Sequence, residues 1–169
     1  LYEARYKWDG PFLYKNMSDP VDPKWALTGY DSGIYEKNVD KKYSNYHVLP
    51  GTYKISRDAL TNCDELFEIY IPTTDTFIGT ETFNSCRNLT KVVFENNKPQ
   101  LEFLENETFY QNFSLQEVQL PDSLEVIQNE VFFGCQSLKR ITFPKNLMAI
   151  GSRAFCGSGL EQVILPEGS

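Results

Sequence analysis

The sequence predicts a repeat solenoid, a stack of short supersecondary units whose parallel strands form one sheet on the concave face. A pattern written twice and three columns of residues predict it. From Ser123 to Ser169 a single pattern is written twice. Leu124, Ile127, Phe132, Cys135, Leu138, Ile141, Phe143 and Pro144 set it, and Leu147, Ile150, Phe155, Leu160, Val163, Leu165 and Pro166 repeat it. Upstream, a phenylalanine column reads Leu60, Phe83, Phe109, Phe132, Phe155, in steps of 23, 26, 23 and 23 residues. Five residues before it, an isoleucine column reads Ile55, Ile78, Leu104, Ile127, Ile150. A strand column keeps the same register: Ile69/Ile71, Val92/Phe94, Val118/Leu120, Ile141/Phe143, Val163/Leu165. One register held over this span predicts about five turns, residues 46–169.

Each turn has the same physical logic. Its strand points large apolar residues inward at every second position. Pro72, Pro121, Pro144 and Pro166 then end the strand, because proline cannot donate a ladder hydrogen bond. The phenylalanine column fills the convex side. A turn buries its apolar face only against its neighbours, so stability is a nearest-neighbour sum. The repeat reads L-x-x-[IV]-x-[ILF]-P-x-x-[LV]-x-x-I-[GQ]-x-x-[AV]-F-x-x-C from about Val48 to Pro166. In this pattern the chain resembles the BspA-like leucine-rich repeat, the type found in many bacterial and some protist surface proteins. The resemblance implies a right-handed leucine-rich-repeat β/α solenoid, mostly β with irregular or short-helical convex segments. It also implies a bacterial cell-surface or secreted protein that adheres to host matrix, host cells or other microbes.

Residues 1–45 have another character and form an irregular, aromatic-rich N-terminal cap or accessory region. As far as Tyr46, the segment holds both tryptophans and seven of the ten tyrosines. Asp9-Gly10-Pro11 and Asp19-Pro20 read as turns. Irregular coil is expected, with a short strand around Tyr2–Trp8 and a short helix near Pro23–Thr28. Two readings of its aromatics stand side by side. They cap the first turn, whose core is otherwise open, or Trp8, Trp25 and Tyr30 form a platform for sugars or a protein.

Along the array, His47–Pro50 is the first strand candidate and Gly51–Leu60 the first convex segment. The Cys86–Phe109 turn carries about three extra residues near Glu95–Gln100, and insertions in repeats map to surface loops. The last turn stops at Ser169, just after its strand. That predicts an open edge, covered by further chain or by self-association through the C-terminal end. The chain opens on Leu1 without a visible signal peptide, as a processed or longer protein would.

The net charge is −7. Residues 1–46 carry seven basic and seven acidic side chains, so all the excess acid lies in the repeats. An acidic solenoid argues against nucleic acid and anionic membranes, which need basic patches; solubility is the simplest reading of the charge. No apolar run is long enough to span a bilayer. Cys63, Cys86 and Cys135 sit three residues after the phenylalanine column, where other turns have Asn112 and Ser158. Such a column suits a small side chain that bonds turn backbone, so these cysteines read as free, buried thiols. Cys63 and Cys86 fall within disulfide range, yet stacked side chains point the same way, which disfavours the bond. Cys156 lies off the column.

Alternation places the residues between the core positions on the concave face. One row reads Glu68, Lys91, Glu117, Arg140, Gln162, and the other Tyr70, Val93, Gln119, Thr142, Ile164. The first row mixes signs, which by itself stabilises a sheet modestly, by about 0.2–1 kcal/mol per opposite pair. The functional reading is that these ten residues contact a partner. Catalysis finds no constellation: the single histidine, His47, has no partner in a known spacing, and no phosphate-binding loop is present. The spacing suits neither zinc nor an EF-hand calcium loop, so no cofactor or metal is expected. Asn16, Asn88, Asn106 and Asn112 begin N-x-[ST] sequons, and in a secreted eukaryotic protein Asn106 and Asn112 would carry glycans on convex loops. The function expected is a protein-binding, adhesin-like surface module. A structural spacer within a larger surface protein and a glycan-binding module are the alternatives.

Overall fold

The computed structural model describes residues 5–37, 40–72, 77–95 and 99–166. Its strands are β1 (Tyr6–Asp9), β2 (Phe12–Asn16), β3 (Trp25–Tyr30), β4 (Asn45–His47), β5 (Thr52–Ile55), β6 (Glu68–Pro72), β7 (Phe77–Ile78), β8 (Lys91–Glu95), β9 (Phe103–Leu104), β10 (Glu117–Gln119), β11 (Val126–Ile127), β12 (Arg140–Thr142), β13 (Ala149–Ile150) and β14 (Gln162–Ile164). A short helix, α1 (Ser32–Lys37), follows β3, and a single 3-10 turn (Lys41–Tyr43) leads into β4.

The fold is a β-solenoid of parallel strands with little helix, as the columns predict. Even-numbered strands from β4 to β14 make the front face, one per turn. Among the described residues there are six of them; the first, β4, lies where the first strand was expected, at His47–Pro50, but starts two residues earlier, at Asn45. The register follows the sequence columns: Ile69↔Val92↔Val118 within one ladder and Ile141↔Val163 in another. The four-residue β5 and the two-residue β7, β9, β11 and β13 carry the isoleucine column on the opposite side.

Between the faces, Phe83, Phe109, Phe132 and Phe155 form a continuous stack with centroid spacings of 5.3, 5.4 and 5.1 Å. That is offset stacking at the repeat spacing, which adds about 0.5–1.5 kcal/mol per pair beyond area burial. The convex segments are tight turns, not helices. Each turns on two residues in the left-handed region, in columns that include Asp58, Glu81, Glu107 and Glu130 at φ 57–60° and Asn62, Ser85 and Gln111 at φ 56–61°. A residue with positive φ closes a turn in place where a helix would need more residues.

The cysteine column behaves as a small donor. Cys86 Sγ donates to Leu60 C=O at 2.9 Å, Asn112 Nδ2 to Phe83 C=O at 2.8 Å and Cys135 Sγ to Phe109 C=O at 3.2 Å. Cys63, Cys86 and Cys135 are buried thiols and Cys156 an exposed one, and none of the four is in a disulfide. Burial pushes the Cys86 and Cys135 thiols up to about 12. Asn112 is fully buried and hydrogen-bonded, so the glycan expected there has no access.

The N-terminal region differs from the coil expected. β1, β2 and β3 form an antiparallel meander, and β3 pairs in parallel with β5 of the repeats. The helix expected near Pro23–Thr28 is the strand β3. Ala26 and Leu27 are good helix formers, but intrinsic propensity is a weak force, and pairing on both edges overrides it. The turn at Gly10 holds, with φ +56°, and Asp19 Oδ1 accepts from the Val21 and Asp22 N–H groups at 2.9 Å. Phe12, Tyr14 and Leu27 are fully buried and belong to the same core as the repeats. The strand expected around Tyr2–Trp8 is β1, four residues long from Tyr6; its expected start lies outside the described residues.

Candidate binding face

Alternation on the front strands lifts two rows of side chains off the core. Asn45, Glu68, Lys91 and Glu117 stand in register in one row, and His47, Tyr70, Val93 and Gln119 in the other. Asn45 and His47 extend the predicted rows by a full turn. The signal for them was the period itself, since Asn45 lies 23 residues before Glu68.

Tyr70 is the hub. Its ring stacks on His47 at 4.3 Å with an interplanar angle of 5°. Its hydroxyl donates to Glu68 Oε1 at 2.7 Å, and this bond to a carboxylate is the main reason the phenol's pKa is raised. Lys91 Nζ lies 5.8 Å from the Tyr70 ring centre and 3.6 Å from Glu117 Oε2. Glu117, then Tyr70, raise the Lys91 pKa, so the cation is held charged. Gln119 Nε2 donates to Glu117 Oε1 at 3.2 Å, and His47 Nδ1 lies 4.0 Å from Glu95 Oε1 on the next strand but one. The result is an aromatic centre with Val93 beside it, inside a connected ring of polar groups.

The second cluster of predicted residues is separate. Arg140 pairs with Gln162 and Thr142 with Ile164 across β12 and β14, all four exposed. Among the described residues no ladder joins β10 to β12, so the front face is a four-stranded and a two-stranded piece. Nothing in the column pattern announces this break.

The N-terminal aromatics are not one platform. Trp8 is 53% exposed on β1, next to the exposed Tyr6. Trp25 is half-buried with Lys7 Nζ 4.1 Å from its ring centre. Tyr30 donates to Thr61 C=O at 3.0 Å, and desolvation raises its pKa. Among the described residues no group of three or more His, Cys, Asp or Glu side chains is placed to hold a metal ion. No described helix is long and apolar enough to cross a membrane.

The comparisons with known proteins agree with the register. The model of the BspA type leucine rich repeat region matches residues 53–169 in six copies. A leucine rich cell surface protein from Faecalibacterium prausnitzii A2-165 is similar in structure, with TM-score 0.81 and 23% identity. The alignment covers 98% of this chain and 40% of that one, so the chain spans less than half of that protein. The T. pallidum leucine rich repeat protein has TM-score 0.68 and 24% identity over 89% of this chain and 67% of its own. A leucine-rich repeat protein from Bacteroides ovatus has TM-score 0.59 and 26% identity over 67% of this chain and 34% of that one. No curated protein matches the sequence. With its six repeats in one register and the family pattern running over most of its length, the chain belongs to the BspA-type leucine-rich repeat family.

Proposed function

We propose that the chain is a protein-binding module of a cell-surface or secreted protein, of the adhesin kind, and that its partner docks on the front face across β4, β6, β8 and β10. The observation that carries this is the Tyr70 hub. Its ring is braced by His47, its hydroxyl by Glu68, and Val93 lies beside it with a charged rim around both. An aromatic anchor whose rotamer is already fixed loses little entropy on binding. Charge pairing for sheet stability accounts for Lys91 and Glu117 but not for a half-exposed tyrosine stacked on a histidine. Family membership and the surface-protein neighbour support a surface setting. Host matrix and host-cell proteins are the partners to screen first.

The experiment is a binding screen of the purified chain against extracellular-matrix proteins and glycans in physiological salt. A saturable protein hit is expected. Tyr70→Ala should weaken it by about 1–2 kcal/mol, roughly five- to thirtyfold. A hit that Tyr70→Ala leaves unchanged rules out this face.

A second reading, glycan binding, has one observation in its favour, the exposed Trp8 beside Tyr6. It predicts a change in tryptophan fluorescence with glycans that Trp8→Ala abolishes.

A further inference from the structure

The outer face of the meander, with the back strands beside it, carries two rows of side chains that neither the core nor the front face uses. β1, β2, β3, β5 and β7 form one sheet in that order. Directly paired residues share a face of a sheet. The register therefore sets Tyr6, Lys15, Ala26, Lys54 and Phe77 side by side in one row. Trp8, Leu13 and Gly29 make a shorter row beside it. Leu27, Ile55 and Ile78, each the next residue along its strand, are fully buried, so the rows point away from the core. Tyr6, Trp8 and Phe77 are about half-exposed. A β-carbon at Gly29 would meet nothing within 4 Å, so the shorter row ends in open space.

Cations stand between the rings of the longer row. Lys15 Nζ lies 5.7 Å from the Tyr6 ring centre, and Lys54 Nζ 5.9 Å from that of Phe77. Both lysines are half-buried, and neither makes an ion pair among the described residues. Ala26, between them, is fully buried. The row thus has a small apolar middle and, towards each end, an ammonium beside a ring. The two lysines are two strands apart, about 10 Å along the sheet. Neither row contains an acid. Glu102 and Glu105 enter in the next turn, on either side of Phe103 along the chain, so the basic part of the face ends at Phe77.

We propose that this face is a binding site for an acidic glycan, a chain of sugars that carry carboxylates. A sugar ring presents an apolar face of C–H bonds, which suits the negative face of an aromatic ring. In a sugar acid the carboxylate is fixed to that same ring. One such sugar covers Tyr6 or Phe77 and sets its carboxylate on the neighbouring ammonium, as a charge-assisted hydrogen bond. Two of them serve both pairs, and Trp8, with the open space at Gly29, takes a further sugar. A neutral glycan leaves the two cations without a counter-charge. An acidic peptide brings its carboxylates on flexible stems and lays no ring on Tyr6 or Phe77. The proposal rests on the glycan reading and names its ligand class, and it uses no residue of the Tyr70 face.

The test uses the full chain and three probes: tetragalacturonic acid, its methyl ester and tetraglutamate. Binding is read by calorimetry and by tryptophan fluorescence. The acid tetramer should bind, and the ester should bind about tenfold more weakly or worse, because it loses the charge-assisted contacts. Lys15→Gln combined with Lys54→Gln should weaken the acid tetramer by about tenfold or more, with a thermal melt that matches the wild type. Tyr70→Ala should leave its affinity unchanged. Equal affinity for acid and ester, equal affinity for tetraglutamate, or no heat with millimolar acid tetramer overturns the proposal. So does a folded double lysine variant that binds as the wild type does. If acid and ester bind alike and Trp8→Ala abolishes both, the acid preference falls while the glycan reading survives. If a protein is captured through Tyr70 and the acid tetramer is not bound, this proposal falls and the protein-binding reading stands.

Discussion

At the scale of single residues, the most informative position is Asn112. It occupies a column of thiols and meets the column's need for a donor, since its Nδ2 reaches Phe83 C=O. Its Oδ1, however, is buried with no hydrogen-bond partner. An unsatisfied buried acceptor costs about 1–3 kcal/mol. A cysteine there keeps the donor and removes the orphan. Asn112→Cys should therefore stabilise the protein, by about 1 kcal/mol, or a rise of about 2–4 °C in Tm for a chain of this size. Cys86→Ala should do the opposite, losing the bond to Leu60 C=O and leaving a small cavity, at a cost of about 1–3 kcal/mol. Thermal melts of the two variants decide it; Asn112→Cys melting below the wild type would show that Oδ1 is satisfied in solution.

At the scale of elements, the question is what fastens the meander to the repeats. A buried chain of hydroxyls does so. Tyr46 on β4 donates to Asp9 Oδ2 at 2.8 Å and shares a 2.5 Å hydrogen bond with Tyr14 on β2, whose hydroxyl in turn accepts from Leu49 N–H at 3.2 Å. Burial pushes Tyr14 up to about 12 and raises Tyr46 further, so both stay protonated and able to donate. Tyr46→Phe keeps the stacking on Phe12 at 3.7 Å but cuts both side-chain bonds. A loss of about 1–3 kcal/mol is expected, read by denaturant unfolding, with faster amide exchange in β1 and β2 than in β8. Unchanged exchange in β1 and β2 would mean that the sheet hydrogen bonds alone hold the meander. This network also shows where sequence reading stops. The columns from Ile55 to Leu165 were legible because stacking forces every turn to repeat the same inward residues. The two outward rows were legible for the same reason, down to Tyr70 beside Val93. The meander was not, because its strands pair partly with each other and partly with β5, and that pairing has no period. Nor was the missing ladder between β10 and β12. Glu117 and Arg140 fit the pattern as well as any other pair, and whether two strands close depends on backbone geometry accumulated along the stack.

At the scale of the whole molecule, the excess acid of the repeats has an arrangement. Stacking turns in register also stacks their turn residues, and Asp58, Glu81, Glu107 and Glu130 form one left-handed column along the solenoid. Non-glycine residues in this region cost roughly 1–2 kcal/mol each, and here they also bring like charges together. The ends of the column are relieved, Asp58 by Arg57 at 3.6 Å and Glu130 by Arg153 at 2.5 Å. Glu81, in the interior, is not: desolvation first, then the neighbouring Asp58 and Glu107, raise its carboxyl above the ordinary range. The sign of the consequence follows. A carboxyl whose folded pKa exceeds its unfolded value binds its proton more tightly in the folded state. Its charge therefore costs stability above the folded pKa, and that cost is removed as the pH falls through the raised value towards the ordinary one, near 4.3. Glu81→Gln should raise Tm at pH 7, by an increment that shrinks as the pH approaches 4. Added salt should shrink the same increment at pH 7 by screening the column. Melts of both proteins across that pH range test it: a Tm difference that stays constant with pH would show that the gain does not come from the carboxyl's charge.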